Sequence, residues 1–193
     1  MIISKADILA LHKKYARNDV VYARFVDHCK IVAEISLWCA KNVDEDIDEE
    51  LLEAAALLHD IGSYMLCNEE GRIDTQYYQL HGLFGASLLE AEGVDNRICE
   101  IVRSHQFSIN TPKIIAFTED HSPRTSKPVS VEAEIVQYAD RFHSKQPIFN
   151  SDSFLMSFLE ELPDRKKRYL DYKTKFGLPD LNPLIKKYGH PVR

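Results

Sequence analysis

The feature that most restricts the fold is an apolar repeat at steps of three and four residues, with no convincing stretch that alternates every second residue. Val21, Phe25, His28, Val32, Ile35 and Cys39 recur at that spacing, which puts them on one face of a helix. His28 therefore sits inside an apolar stripe. A second helix is expected from about Ile47 to His59, because "DEDIDEE" supplies acids where the helix dipole favours them. Gly62 is the expected stop. "QLHGLFGASLLEA", from Gln79 to Ala91, reads as a third helix in which His81, Gly85 and Leu88 share a face. Its Gly82, Gly85 and Ala86 would let another backbone approach closely. Ile98, Ile101, Val102 and His105 repeat the pattern, and "SVEAEIVQYADRFHS" restarts it behind a capping Ser130, with Ile135, Ala139 and Phe142 on one face and Asp140 beside it. These segments predict an all-α fold, a compact bundle of five or more core helices with no substantial sheet.

The 193 residues, 45% of them hydrophobic, suit one domain with its own core. The core should span about 20–145, followed by a helical extension over about 151–193. That extension holds "SDSFLMSFLEEL" and then "PDRKKRYLDYKTKFG", which Pro163 opens and Gly177 closes. Its basic run reads as a solvated face, and Pro179, Pro183 and Pro191 should leave the end irregular. Between the fourth and fifth core helices, residues 107–130 carry Pro112, Pro123 and Pro128 and read as a long loop of the kind that forms lids. A net charge of −6 offers no surface for a phosphate backbone, so no nucleic-acid polymer is expected as partner. The longest strictly apolar run is "AAALL", and the first twenty residues lack an apolar core of signal length, so no membrane partner and a cytoplasmic location are expected. Cys29, Cys39, Cys67 and Cys99 form no C-x-x-C pair and read as buried free thiols.

Four histidines, His28, His59, His81 and His105, lie on or at the ends of apolar stripes on four successive predicted helices. Asp60 and Asp140 join them on the second and fifth. One buried histidine is ordinarily just a satisfied core residue. Two carboxylates buried beside four imidazoles are different, because an unpaired buried carboxylate costs several kcal/mol and calls for positive charge. Imidazole with carboxylate suits divalent Fe, Mn, Zn or similar ions, and a carboxylate can bridge two of them. His12, His121 and His190 lie in charged or irregular surroundings and are expected to be exposed. His143, one turn after Asp140, is open between cavity and solvent. Arg141, Lys145, Arg124 and Lys127 are candidates to grip a phosphate, although such residues more often solvate a surface.

The ordered set His, His-Asp, His, His, Asp, with "HDIG" intact at residues 59–62, resembles the HD-domain superfamily of metal-dependent phosphohydrolases. The likeness covers roughly Val20 to Lys145 through "HCKIVAEIS", "LLHDIG", "HGLFGASLL" and "IVQYADRF". It implies a helical HD-domain fold in which His28, His59, Asp60 and Asp140 bind one metal. His81 and His105 match the histidines that hold a second metal in binuclear members, with Asp60 as the bridge and as the group that helps orient the attacking hydroxide. A single-metal site, in which those two histidines orient or protonate substrate, stays open. The implied reaction is hydrolysis of a nucleotide or other small phosphoester through a metal-bound hydroxide, with two divalent transition-metal ions (Fe, Mn, Zn or similar) as cofactors and Mg admissible. Two rivals remain. Mixed-valent di-iron HD oxygenases use a similar ligand set, but their phosphonate-cleaving members add Tyr and Glu before the first His, and "YARNDVVYARFVD" has no Glu. A non-catalytic regulatory module is the other, opposed by six filled ligand positions. Cyclic-dinucleotide phosphodiesterases with Gly-Tyr-Pro after the HD pair are disfavoured, since residues 61–80 read "IGSYMLCNEEGRIDTQYYQL".

Overall fold

A computed structural model describes residues 3–106 and 128–193. The expected loop over 107–130 lies almost wholly outside the described residues, as do His121, Arg124 and Lys127. The described chain is helical: α1 Lys5–Tyr15, α2 Asp19–Ala40, α3 Glu49–Leu58, α4 His81–Ala91, α5 Asn96–Ser104, α6 Val131–Ala139, α7 Asp152–Phe158, α8 Pro163–Phe176 and α9 Asn182–Tyr188. Short polar side chains start most of them. Ser4, Asn18, Asp48, Asp95, Ser130 and Ser151 each accept a hydrogen bond from a first-turn amide that has no partner within its helix. The strand content among the described residues is slight: His143–Ser144 pairs antiparallel with Ile148–Phe149.

Helix α2 is the axis of the fold, packed on α3 and α6, while α3 also meets α5 and α4 lies on α5. Ile31, Val32, Leu52, Ala55, Leu58, Val102 and Ile135 are fully or almost fully buried between them, and each large apolar side chain removed from water contributes on the order of 1.5–3 kcal/mol. The C-terminal helices share this core. Tyr138 of α6 packs against Tyr169 and Phe176 of α8, with ring centroids 5.7 and 5.8 Å apart.

The first residues form a helix, α1. Two expectations need correction here. The proline-rich end contains α9, which starts beside Pro183 because proline suits the first helical turn. Gly62 does not stop α3, which ends at Leu58; Gly62 lies in a 3₁₀ turn over Ile61–Leu66. It is glycine because α4 crosses it: a Cβ there would sit 2.0 Å from the carbonyl oxygen of His81 and 2.4 Å from the amide of Gly85. Gly85 and Gly82 continue the close approach, the latter with a Cβ position 3.0 Å from the Val102 carbonyl oxygen of α5. Three small residues thus let α4 carry His81 to the end of α3.

His12, expected at the surface, is 1% exposed. Its Nε2–H donates to the Leu57 carbonyl at 2.8 Å and its Nδ1 accepts from the Tyr64 hydroxyl at 2.9 Å, so the neutral ring is fully satisfied. Burial pushes its pKa down from the ordinary 6.5 to about 4. Between these values the unfolded chain holds a proton that the native ring refuses, so the contribution is complete above pH 6.5 and is lost as pH falls toward 4. The loss should be about 3 kcal/mol. Urea unfolding at pH 7 and pH 4.5 should show it, and His12→Gln should flatten the pH slope by that amount; an unchanged slope would contradict this account.

Candidate metal centre

Three histidines reach the centre by one local device. His59 and His105 are the residues that cap the C-termini of α3 and α5, and His81 follows the 3₁₀ turn Tyr78–Leu80. Each turns its Nδ1 back to the carbonyl three residues earlier: Ala56 at 2.7 Å, Val102 at 2.6 Å and Tyr78 at 2.6 Å. A carbonyl only accepts, so Nδ1 carries the proton and the Nε2 lone pair points inward. This answers why a core helix ends in histidine: the ring satisfies an orphan carbonyl of the last turn and presents a ligand atom on its other side. His28, in the middle of α2, has no such carbonyl. Its Nδ1 lies 3.0 Å from His143 Nδ1, and His143 Nε2 lies 2.9 Å from His190 Nδ1.

The six residues converge. Asp60 Oδ2 lies 3.1 Å from His28 Nε2 and 3.4 Å from His59 Nε2, while its Oδ1 lies 3.0 Å from His81 Nε2 and 3.8 Å from His105 Nε2. Asp140 Oδ1, at the end of α6, is 3.2 and 3.5 Å from the Nε2 atoms of His28 and His59. Two potential ligand groups result, His28–His59–Asp60–Asp140 and Asp60–His81–His105, each with its ligand atoms within 4.8 Å of one another. Asp60 belongs to both and turns one oxygen to each.

The donor set calls for cations. His81 and His105 bring Nε2 atoms to 3.0 Å although both rings have their protons committed to carbonyls at Nδ1. Two lone pairs at that distance repel unless positive charge lies between them. His28 Nε2 and His59 Nε2 are buried with no hydrogen-bond partner, and divalent ions with imidazole and carboxylate ligands fit such a group. The titrations carry the same demand. Burial opposes charge on every group, yet Asp60 and Asp140 are held well below the usual carboxylate range, Asp60 by Lys145 and His59, Asp140 by the facing His28 and His59 rings and by Lys145. Burial likewise opposes charge on His59, but Asp60 favours positive charge at its Nε2, the atom that would face an ion, and raises its pKa well above the usual range, whereas burial and the neighbouring His81 and His59 keep His105 neutral.

Every sequence-predicted candidate ligand lies at this centre. Lys145 does as well, its ammonium against Asp60 and 5.0 Å from the centroid of the Tyr78 ring. Tyr78 itself stacks on His81 with centroids 4.4 Å apart, a contact between residues that no local pattern singles out. His143 faces inward and is 3% exposed; His190, expected to be exposed, is half-buried against it. The only sequence signal for His143 was its place one turn after Asp140, and the partnership with His190 spans a separation no local pattern reveals. The centre opens into a cavity of about 780 Å³ whose wall includes His81, His105, Asp140, Arg141 and Lys145.

Comparison with known proteins gives this arrangement a context. A profile described as HD domain matches residues 25–145, more than half of the chain. A tRNA (cytidine(56)-2′-O)-methyltransferase of Thermoplasma volcanium is 32% identical over 133 residues, 68% of this chain and 34% of that protein. A dihydroneopterin 2′,3′-cyclic phosphate phosphodiesterase of Methanocaldococcus jannaschii is 32% identical over 127 residues, 62% of this chain and 46% of that protein. This chain therefore spans less than half the length of either relative. Among solved structures, the HD domain of the L. monocytogenes phosphodiesterase PgpH superposes with a TM-score of 0.57 over 93% of this chain and 91% of that one, at 16% identity, a likeness of fold.

Proposed function

The chain belongs to the HD domain family, and from that premise we propose that it is a metal-dependent phosphohydrolase acting on a nucleotide or other small phosphoester. The observation that carries the proposal is the pair of facing Nε2 lone pairs on His81 and His105, beside a carboxylate whose other oxygen already serves His28 and His59. That pattern favours two ions over one. His28, His59, Asp60 and Asp140 would hold the first, and Asp60, His81 and His105 the second. Divalent ions there would lower the pKa of a bound water toward neutrality and stabilise charge on both reacting oxygens. The chain's own groups supply the rest. The carbonyl-bound Nδ1 atoms fix the imidazoles against rotation, Asp60 sets the spacing between the two ligand groups, and Lys145 presents a held proton toward a phosphoryl oxygen in the cavity. A relative named as a cyclic phosphate phosphodiesterase supports the reaction class.

Residues 1–193 are read as one domain, with the extension over 151–193 sharing the aromatic core through Tyr169 and Phe176. No helix among the described residues is long and apolar enough to cross a membrane, and four unpaired buried cysteines accord with a reducing cytoplasm. The test is metal analysis of anaerobically purified protein, followed by loading with Mn²⁺, Fe²⁺ or Zn²⁺ and a panel of nucleotide and cyclic phosphates. Two ions per chain and metal-dependent release of phosphate or opening of a cyclic ester are expected. Loaded protein that turns over none of these esters would refute the hydrolase, and turnover that requires iron with oxygen would install the oxygenase in its place.

A further inference from the structure

Of the four histidines at the centre, three are fixed by a carbonyl at a helix end or turn, and His28 is not. Inside α2 each carbonyl already accepts from the amide four residues on, so none is left for a ring. His28 Nδ1 meets the His143 ring at 3.0 Å instead, and the far side of that ring, Nε2, meets His190 Nδ1 at 2.9 Å. Successive rings are 26° and 22° from parallel, with centroids 5.3 and 5.1 Å apart. A row of three imidazoles thus leads from a candidate ligand to the C-terminal segment.

His190 is held from both sides. Before it, Lys187 and Tyr188 of α9 both reach Glu34 Oε1 on α2, at 2.8 and 2.6 Å. Gly189 then turns the chain at a φ of +70°, where glycine lacks the Cβ that would oppose it. After it, the Phe149 amide donates to the Pro191 carbonyl at 2.8 Å and the Arg193 amide to the Phe149 carbonyl at 2.9 Å. Phe149 is also the residue that pairs with His143 across the short hairpin. One residue therefore registers both histidines. Residues 182–193 lie beyond the family-matched stretch 25–145, so part of this support comes from outside it.

The direction of these hydrogen bonds follows once His28 Nε2 serves as a ligand atom. That nitrogen must then present a lone pair, so the neutral ring carries its proton on Nδ1 and donates it to His143 Nδ1. His143 accepts there, carries its own proton on Nε2 and donates to His190 Nδ1. The acceptor on His190 thus selects the one neutral form of His143 that can receive the His28 proton. We infer that His143 and His190 are positioning residues of the metal centre, which fix the tautomer and orientation of His28, so that the C-terminal segment sets how tightly the centre holds an ion. The inference rests on the metal-binding part of the reading above and not on the reaction.

The test measures Zn²⁺ affinity of the full chain, freed of metal, by competition with a chromophoric chelator. His143→Phe keeps a ring but removes the acceptor, and should weaken one of the binding steps by about 10–100-fold. His143→Asn loses the ring but offers Oδ1 where Nδ1 stood, and should bind close to wild type. A packing role would rank these two variants the other way. The same pair at half-buried His190 gives a milder comparison: His190→Phe should weaken Zn²⁺ binding roughly 3–10-fold, since its effect passes through one more hydrogen bond, and His190→Asn should restore it. Nitrogen-15 spectra of the Zn²⁺-loaded wild type should place the protons on His28 Nδ1, His143 Nε2 and His190 Nε2. If His143→Phe does not fold, the His190 pair and these spectra decide. Wild-type affinity in both phenylalanine variants, or a proton on His143 Nδ1 in the loaded protein, overturns the inference. A wild type that binds no Zn²⁺ overturns it together with the metal centre, whereas one that binds Zn²⁺ and hydrolyses no ester overturns the reaction alone.

Discussion

Asp60→Asn should strip metal from both halves of the centre and lower phosphoester turnover by more than about 100-fold, above the 10–100-fold typical of losing an outer partner of a metal ligand. The reason is geometric. Each Asp60 oxygen faces a different histidine pair, at 3.1 and 3.4 Å on one side and 3.0 and 3.8 Å on the other. Asparagine keeps the volume but offers one neutral carbonyl oxygen, so at most one side retains an acceptor and neither retains charge. Lys145 and positive charge on His59 would also lose the carboxylate that favours them. His81→Ala should act more narrowly, lowering metal content from two toward one and leaving the His28 side filled. Metal analysis of both variants decides the matter, and full metal content in Asp60→Asn would sink the bridging role.

Gly62→Ala should cost about 3 kcal/mol or more, since an added Cβ meets backbone and not a side chain that could swing away. For a chain of this size that is a fall in melting temperature of roughly 6–12 °C. The atoms it would strike are the His81 carbonyl and the Gly85 amide and Cα, so relief requires α4 to shift and to carry His81 away from Asp60. Metal content should fall along with stability. Gly93→Ala is the comparison: nothing lies within 4 Å of its Cβ position and only its φ of +73° opposes the change, which costs about 1 kcal/mol. Differential scanning calorimetry of the two variants, with equal melting points as the contrary outcome, tests the claim.

The centre was legible in the sequence where side-chain chemistry conflicted with its setting. His28, His59, His81, His105 and their two aspartates interrupt or end apolar stripes, and a helix that places an imidazole in a core advertises a reason for it. His12 was misread for the opposite cause. Its neighbours Lys13 and Lys14 give the segment a surface appearance, and only the packing of α1 against Leu57 and Tyr64 decides that this ring is inside. Gly62 looked like a helix terminator because glycine commonly is one; the crossing of α4 above it is a tertiary fact with no local signature. The link from His28 through His143 to His190 joins three separate elements by hydrogen bonds, and spacing along the chain carries no trace of it. Short α9 escaped notice because prolines were read as breakers when Pro183 opens a turn.

One consequence of where the candidate ligands lie concerns time. His28 stands near the start of the family-matched stretch and Asp140 near its end, with the others on three elements between them. No fragment of the chain offers the set, and contacts so far apart in sequence form late because loop closure must precede them. Ions bound by this set would therefore engage the native state after the folding barrier has been crossed. They would leave the rate of folding almost untouched and slow the rate of unfolding, so that loading the centre lengthens the lifetime of the folded molecule rather than hastening its birth.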